Sequence, residues 1–335
     1  MHKGVFTISL DFELHWGVFD KRNREEREPV YRNTLDLIPQ LLDAFAQYQV
    51  GVTWASVGSL FCANEEEWRS VLPGVLPQYE QQKYSPYYFA DTNGIGQNKS
   101  WAHFAPAMVK RIASYEGQEL ATHTFSHYYC LEKGQTPVAF RADLEVVQTM
   151  AERLTGKRLT SLVFPRNQYN QEYLAICGEA GITAIRSNPD TWFWTGIGND
   201  NTSLMRRLFR TGDVFFPTGK RMSYPLASLP MKPGEPLAIP ASRLLRQFDA
   251  RFPMLNRRRI ERIKAEMTAA AKIGECYHLW WHPENFGYHP RECMRELTEI
   301  LEHYQTLQLE MGMLSATMGQ LEIMRNQLTT TQTVQ

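Results

Sequence analysis

This chain of 335 residues lacks any charge excess, because its 36 basic residues are matched by 36 acidic ones. It therefore carries no global field that would draw it to nucleic acid or an anionic surface. It has no run of about 18 apolar residues, so no transmembrane helix is expected. Asp11 and Glu13 fall where the apolar core of a secretion signal would have to lie, which argues against such a leader. The five cysteines (Cys62, Cys130, Cys177, Cys276 and Cys293) are odd in number and scattered, with no Cys-x-x-Cys pair. That pattern offers neither a zinc ribbon nor a disulfide framework, and reduced thiols in a cytoplasmic protein are expected. There is no fixed-period repeat and no glycine fingerprint for a dinucleotide.

What is present is an ordinary globular composition, 43% hydrophobic and 21% charged, in which short apolar runs alternate with helical patterns. Val5 to Phe12 reads as a strand and Thr34 to Tyr48 as a helix, its apolar Leu35, Ile38, Leu41, Leu42 and Phe45 at helical spacing. Further strands are expected at 50–57, 118–122, 159–164, 183–186, 237–239 and 276–281. Helices are expected at 138–154, 171–180 and 257–272, after Pro290, and from near Ser315. Alternation repeated this often predicts an α/β fold with a mainly parallel sheet. The expected unit is a single domain over 1–326, with a polar tail at 327–335 expected to be disordered. Two segments interrupt the alternation, one near 79–104 and one near 200–251. Each is open to two readings, a lid or substrate wall, or decoration.

Polar residues fall where the expected strands end: Asp11 and Glu13, His123 and His127, Pro165 and Arg166, Asn188 and Asp190, and His282. In a barrel of alternating strands and helices, that face is where active sites are built. Two imidazoles four positions apart would share one face of a helical turn and reach one ion. Two histidines and a carboxylate, with positions left open, form the ligand set of a hydrolytic metal site. Taken singly, each residue also has an ordinary reading as a surface turn, a salt bridge or a core imidazole.

Together, these residues resemble the motifs of the polysaccharide deacetylase family, carbohydrate esterase family four. The match runs from Ser9-Leu10-Asp11-Phe12-Glu13 through His123-Thr124-Phe125-Ser126-His127, Phe164-Pro165-Arg166-Asn167-Gln168 and Asp190-Thr191-Trp192 to Leu279-Trp280-Trp281-His282-Pro283. The acids separated by one residue resemble the family's Asp-x-Asp subset, with Glu as the second acid. The resemblance implies a distorted or incomplete parallel (β/α) barrel. It implies Asp11 as catalytic base, Glu13, His123 and His127 as metal ligands, and His282 as the acid on the opposite side of the scissile bond. Arg166, in an inverted Pro–Arg order, would hold the base. The ion implied is divalent, zinc by default, with Co2+, Ni2+ or Mn2+ able to serve. Asp190 falls at the family's fourth motif. Trp16, Tyr128, Trp192 and Trp281 could stack on sugar rings or pack.

The implied reaction is removal of an N-acetyl group from an amino sugar. The substrate expected is a cytoplasmic intermediate of surface polysaccharide assembly, nucleotide-linked or polyprenyl-diphosphate-linked, met in the cytoplasm or at the inner face of the membrane. The turn Arg257-Arg258-Arg259, continued by Arg262 and Lys264, reads as a solvated helix face or as a phosphate contact. Two other readings stay open: a sugar deformylase or allantoinase-like cyclic-amide hydrolase, and a non-catalytic carbohydrate-binding protein. Bound metal tells the first from a metal-free hydrolase, and a missing base or acid would mark the second.

Overall fold

The structure, a computed structural model, describes residues 3–188 and 222–333. Nine strands among them form one sheet: β1 (Val5–Phe12), β2 (Val52–Ser56), β3 (Gln118–Thr122), β4 (Ser161–Val163), β5 (Ala184–Ser187), β6 (Leu237–Pro240), β7 (Arg243–Leu244), β8 (Cys276–Trp281) and β9 (Leu314–Ser315). The order is β6-β5-β4-β3-β2-β1-β8-β7, with β9 beside β1, and every pairing between these strands is parallel. β6 and β7 lie at opposite ends of that order, yet only Ala241 and Ser242 separate them in the chain. The sheet must therefore curl until its ends meet, which yields the distorted parallel barrel that the motif resemblance implied.

Strand alternation sorts the side chains of β1 into two layers. Phe6, Ile8, Leu10 and Phe12 join the large core between sheet and helices, which includes Ile38, Leu41 and Phe45 of the helix Glu28–Gln47. Val5 packs instead with Ala55, Ala121, Val163 and Ala184, small residues suited to a barrel interior. Thr7, Ser9 and Asp11 share that inner face and are buried. A strand enclosed on both faces explains why Val5–Phe12 reads as a nearly continuous apolar run.

Six helices lie at the expected positions with shifted ends: Glu28–Gln47, Pro137–Thr155, Gln171–Glu179, Pro253–Ile273, Pro290–Met311 and Met318–Thr333. Glu65–Ser70, Pro86–Asn93 and Pro106–Ser114 are helices that the sequence reading did not mark. Gly156 closes Pro137–Thr155 in the left-handed conformation that a side chain would strain. The last helix runs past Gln327, where the polar composition had suggested a tail. The segment 79–104 is built into the packing: Tyr79 and Tyr84 form a cluster with Phe19 and Tyr129. Of the second interruption, 200–221 lies outside the described residues.

Candidate active site

The site lies at the C-terminal ends of the strands. β1 delivers Asp11 and, one step past its end, Glu13. β3 runs into the loop that carries His123 and His127, and β8 ends immediately before His282. The loop is not the helical turn that the spacing suggested. Thr124 and His127 both adopt left-handed backbone angles (φ 62° and 58°), a conformation costly for residues with a Cβ. What holds it there is hydrogen bonding from both sides. Gly58 N–H and Ser59 N–H donate to the Thr124 and Phe125 carbonyls, at 2.8 and 2.9 Å. Asp143, reaching from the helix Pro137–Thr155, accepts from Phe125 N–H (2.6 Å) and Ser126 N–H (3.1 Å). Gly58 has no room for a side chain, since a Cβ would stand 2.9 Å from the Phe125 Cα.

Three imidazole nitrogens converge on one carboxylate oxygen. Glu13 Oε1 lies 2.9 Å from His123 Nε2, 3.2 Å from His127 Nε2 and 3.6 Å from His282 Nε2. The other nitrogen of His123, Nδ1, donates to the Val163 carbonyl at 2.7 Å, so the neutral ring presents a lone pair at Nε2. That buried Nε2 makes no hydrogen bond, and a bare nitrogen held 2.9 Å from a carboxylate oxygen is relieved by a proton or by a metal ion between them. His127 Nδ1 meets the Tyr129 hydroxyl at 3.1 Å. Ligand atoms of Glu13, His123 and His127 lie within 4.8 Å of one another, and so do those of Asp11, Glu13 and His282. This donor set fits a divalent ion.

Burial opposes the charge on Glu13, but His282, His123 and His127 around it hold its carboxyl well below the usual range. Burial pushes His127 down to about 4, against the pull of Glu13, which keeps the ring neutral as a ligand requires. Asp11 is likewise held below its ordinary value: Arg186, then His282 and His123, outweigh the burial that would raise it.

The arginine that holds Asp11 is Arg186, not Arg166. Arg186 donates from Nη1 to Oδ1 (2.7 Å) and from Nη2 to Oδ2 (2.6 Å), a paired geometry that fixes the carboxylate plane. It also stacks on Trp280, 4.1 Å from the ring centroid. Arg166 lines the same cleft but turns away. Arg166 and Asn167 are both left-handed (φ 55° and 52°), and the turn sends the guanidinium to Asp20 at 2.6 Å, over the Tyr129 ring. His282 sits beside both carboxylates, 3.7 Å from Asp11 Oδ2 and 3.6 Å from Glu13 Oε1. It is the most open member of the group, its side chain 31% exposed.

Three of the expected sugar-stacking residues are core residues. Trp16 is 0% exposed, stacks on Trp68 and donates to the His103 carbonyl. Tyr128 is 1% exposed, with its hydroxyl on the Thr136 carbonyl, and Trp281 is 0% exposed against Phe286. Among the described residues, the tryptophan that lines the cleft is Trp280. Asp190 and Trp192 lie outside the described residues. Sequence reasoning also missed Glu284, whose Oε1 accepts from Glu13 N–H (3.0 Å) and Leu14 N–H (2.6 Å). It thereby steadies the turn that carries the Glu13 side chain, in which Leu14 is left-handed. Burial, then the Glu13 charge, pushes the Glu284 carboxyl up to about 8. The cleft is about 300 Å3.

The polysaccharide deacetylase family model matches residues 31–185. A structure described as a polysaccharide deacetylase from Mycobacterium smegmatis is similar over 98% of this chain and 92% of its own, at 15% identity and a TM-score of 0.59. One described as a polysaccharide deacetylase from Pseudomonas aeruginosa PAO1 is similar over 95% of this chain and 90% of its own, at 11% identity and a TM-score of 0.55. An allantoinase structure matches 95% of this chain and 89% of its own, with the same identity and TM-score. At these identities the structural likenesses speak for the fold. No curated protein matches the chain.

Proposed function

We propose that this chain, whose residues 31–185 match the polysaccharide deacetylase family model, is a metal-dependent hydrolase that removes the N-acetyl group from an amino sugar. The observation that carries this reading is the convergence of the His123, His127 and His282 Nε2 atoms on Glu13 Oε1, with Asp11 alongside. Glu13, His123 and His127 would hold the ion, and zinc is the natural first choice for such ligands, ahead of Co2+, Ni2+ and Mn2+. When bound, such an ion acidifies water and polarises an acyl oxygen.

The protein's own residues divide the remaining work. Asp11, ionised and held in one plane by Arg186, takes the proton from the attacking water. His282, the most solvent-accessible of the group, gives a proton to the departing amine, which leaves poorly as an anion. Trp280, backed by Arg186, offers a flat wall on which a sugar ring can lie. Arg27 also lines the cleft, over the Tyr31 and Tyr288 rings, and has no carboxylate partner among the described residues. An unpaired guanidinium supports a substrate that carries an anion, as nucleotide-linked and polyprenyl-diphosphate-linked amino sugars of surface polysaccharide assembly do.

The test is acetate release from a panel of such sugars by zinc-loaded protein, with bound metal measured alongside. Asp11→Asn is expected to lower turnover roughly 10²–10⁴-fold with metal retained, and His127→Ala to lose the metal as well. A chelated, metal-free protein that kept full activity would overturn the metal mechanism, and formate release in place of acetate would overturn the acyl group.

A further inference from the structure

A second cavity, of about 580 Å3, adjoins the active-site cleft, and Asn285 lines both. Its other walls include Arg246, Gln247, Asp249, Asn256 and Arg259. Arg259 is buried: its terminal nitrogens pair with Glu296 and donate to the Arg246 and Gln247 carbonyls, while its Nε makes no hydrogen bond. Asp249 is occupied by Arg251, which donates to both of its carboxylate oxygens. Arg246 is different. Its Nε, like that of Arg259, is sealed from solvent without a hydrogen-bond partner, but among the described residues no carboxylate pairs with its guanidinium. Glu296 is the partner of Arg259 and Asp249 that of Arg251, which leaves Arg246 as the guanidinium of this lining with no carboxylate among the described residues.

We propose that this cavity is an anion subsite that receives a phosphoryl group of the substrate, with Arg246 as the residue that binds it. The inference rests on the amino-sugar reading above, and it adds where the charged carrier lies while the acyl group is at Asp11 and Glu13. The physical reason is the cost of an unpaired charge. Burial, then the neighbouring Arg259 charge, pushes the Arg246 guanidinium below its usual range, so its environment disfavours the cation unless an anion completes it. A guanidinium presents forked N–H groups that match phosphate oxygens. The basic turn seen in the sequence is thus split by its helix: Arg259 turns inward to the cavity, whereas Arg257 stays exposed and pairs with Glu261.

Inorganic pyrophosphate, titrated calorimetrically into the zinc-loaded protein, tests the site. Arg246→Gln is expected to weaken its binding at least tenfold, Arg246→Lys to restore part of it, and Arg257→Gln to leave it unchanged. Pyrophosphate held by the metal instead would survive Arg246→Gln, and that result overturns the proposal. So does an equal loss in Arg257→Gln, which would mean surface charge alone, or no binding at all. The titration involves no turnover, so failure here with acetate release intact removes the subsite and spares the deacetylase reading. Tighter binding of UDP than of pyrophosphate would support a nucleotide carrier, and tighter binding of farnesyl diphosphate a lipid one.

Discussion

Glu13 and Glu119 stand at opposite ends of the same barrel, and their surroundings differ in one respect that separates a structural carboxylate from a functional one. Glu119, near the start of β3, accepts from the Ser161 hydroxyl (2.5 Å) on one oxygen. The other accepts from the Thr53 hydroxyl (2.7 Å) and Gly319 N–H (3.1 Å). It ties β2, β3 and β4 to the last helix, and its neighbours are satisfied. Around it Val5, Cys276 and Leu237 pack against Met318 and Leu321. Glu13 instead faces imidazoles, one of which keeps a buried Nε2 without any hydrogen bond. A network that closes on itself holds strands together, whereas one with a bare donor atom left over is built for a ligand.

The pair is most sharply tested by Glu13→Gln against Glu119→Gln. Glu13→Gln is expected to cut metal affinity by on the order of 10² or more, with little loss of stability. Glu119→Gln should leave kcat and metal content alone while lowering unfolding stability by about 1–3 kcal/mol in urea titration. Similar losses of metal in both would erase the distinction between the two ends. The next largest effect separates the two arginines. Arg186→Gln should lower kcat of the metal-loaded enzyme roughly 10²-fold, because Asp11 loses its paired anchor, whereas Arg166→Gln should cost less than about tenfold. The reverse order would return the anchoring role to Arg166.

The smallest expected effect concerns Asp143, which acts on the histidines only through their loop. Burial pushes its carboxyl up to about 7, above the usual carboxylate range of about 4. The folded state therefore binds the proton more tightly than the unfolded chain. Its stabilising contribution is fully present below about pH 4 and is lost as pH rises through 7. Asp143→Asn should flatten that slope in stability measured from pH 4 to 8. It should also loosen metal binding by roughly tenfold, and an unchanged slope would rule out the buried, proton-holding state.

Much of this site was legible in residue order. The parallel sheet followed from the repeated alternation and its closure into a barrel from the motif resemblance, while Asp11, Glu13, His123, His127 and His282 were marked out by motifs short enough to lie within one strand end each. Trp280 could have been chosen over Trp281 from the same text. Strand side chains alternate, so the residue that shares a face with His282 is Trp280, two positions before it. The register agrees: Trp280 lies beside inward-facing Ser9, and Trp281 beside Leu10 of the outer core. Arg186 carried a weaker signal, an arginine inside an otherwise apolar strand.

What the sequence determined by itself was local: the strand and helix periods, the left-handed glycine cap at Gly156, and the chemistry offered at each strand end. Only the tertiary structure decided which of those groups meet. Asp11 and Arg186 are 175 residues apart and come together because the sheet curls, so that β5 reaches across to β1. Glu284 and Glu13 meet across 271 residues, and the Arg246 cavity adjoins the cleft only because Asn285 borders both. Such contacts depend on barrel closure and on the left-handed turns at His127 and Arg166. Those turns persist because the surrounding hydrogen bonds outweigh their local strain, a balance that no short stretch of sequence contains.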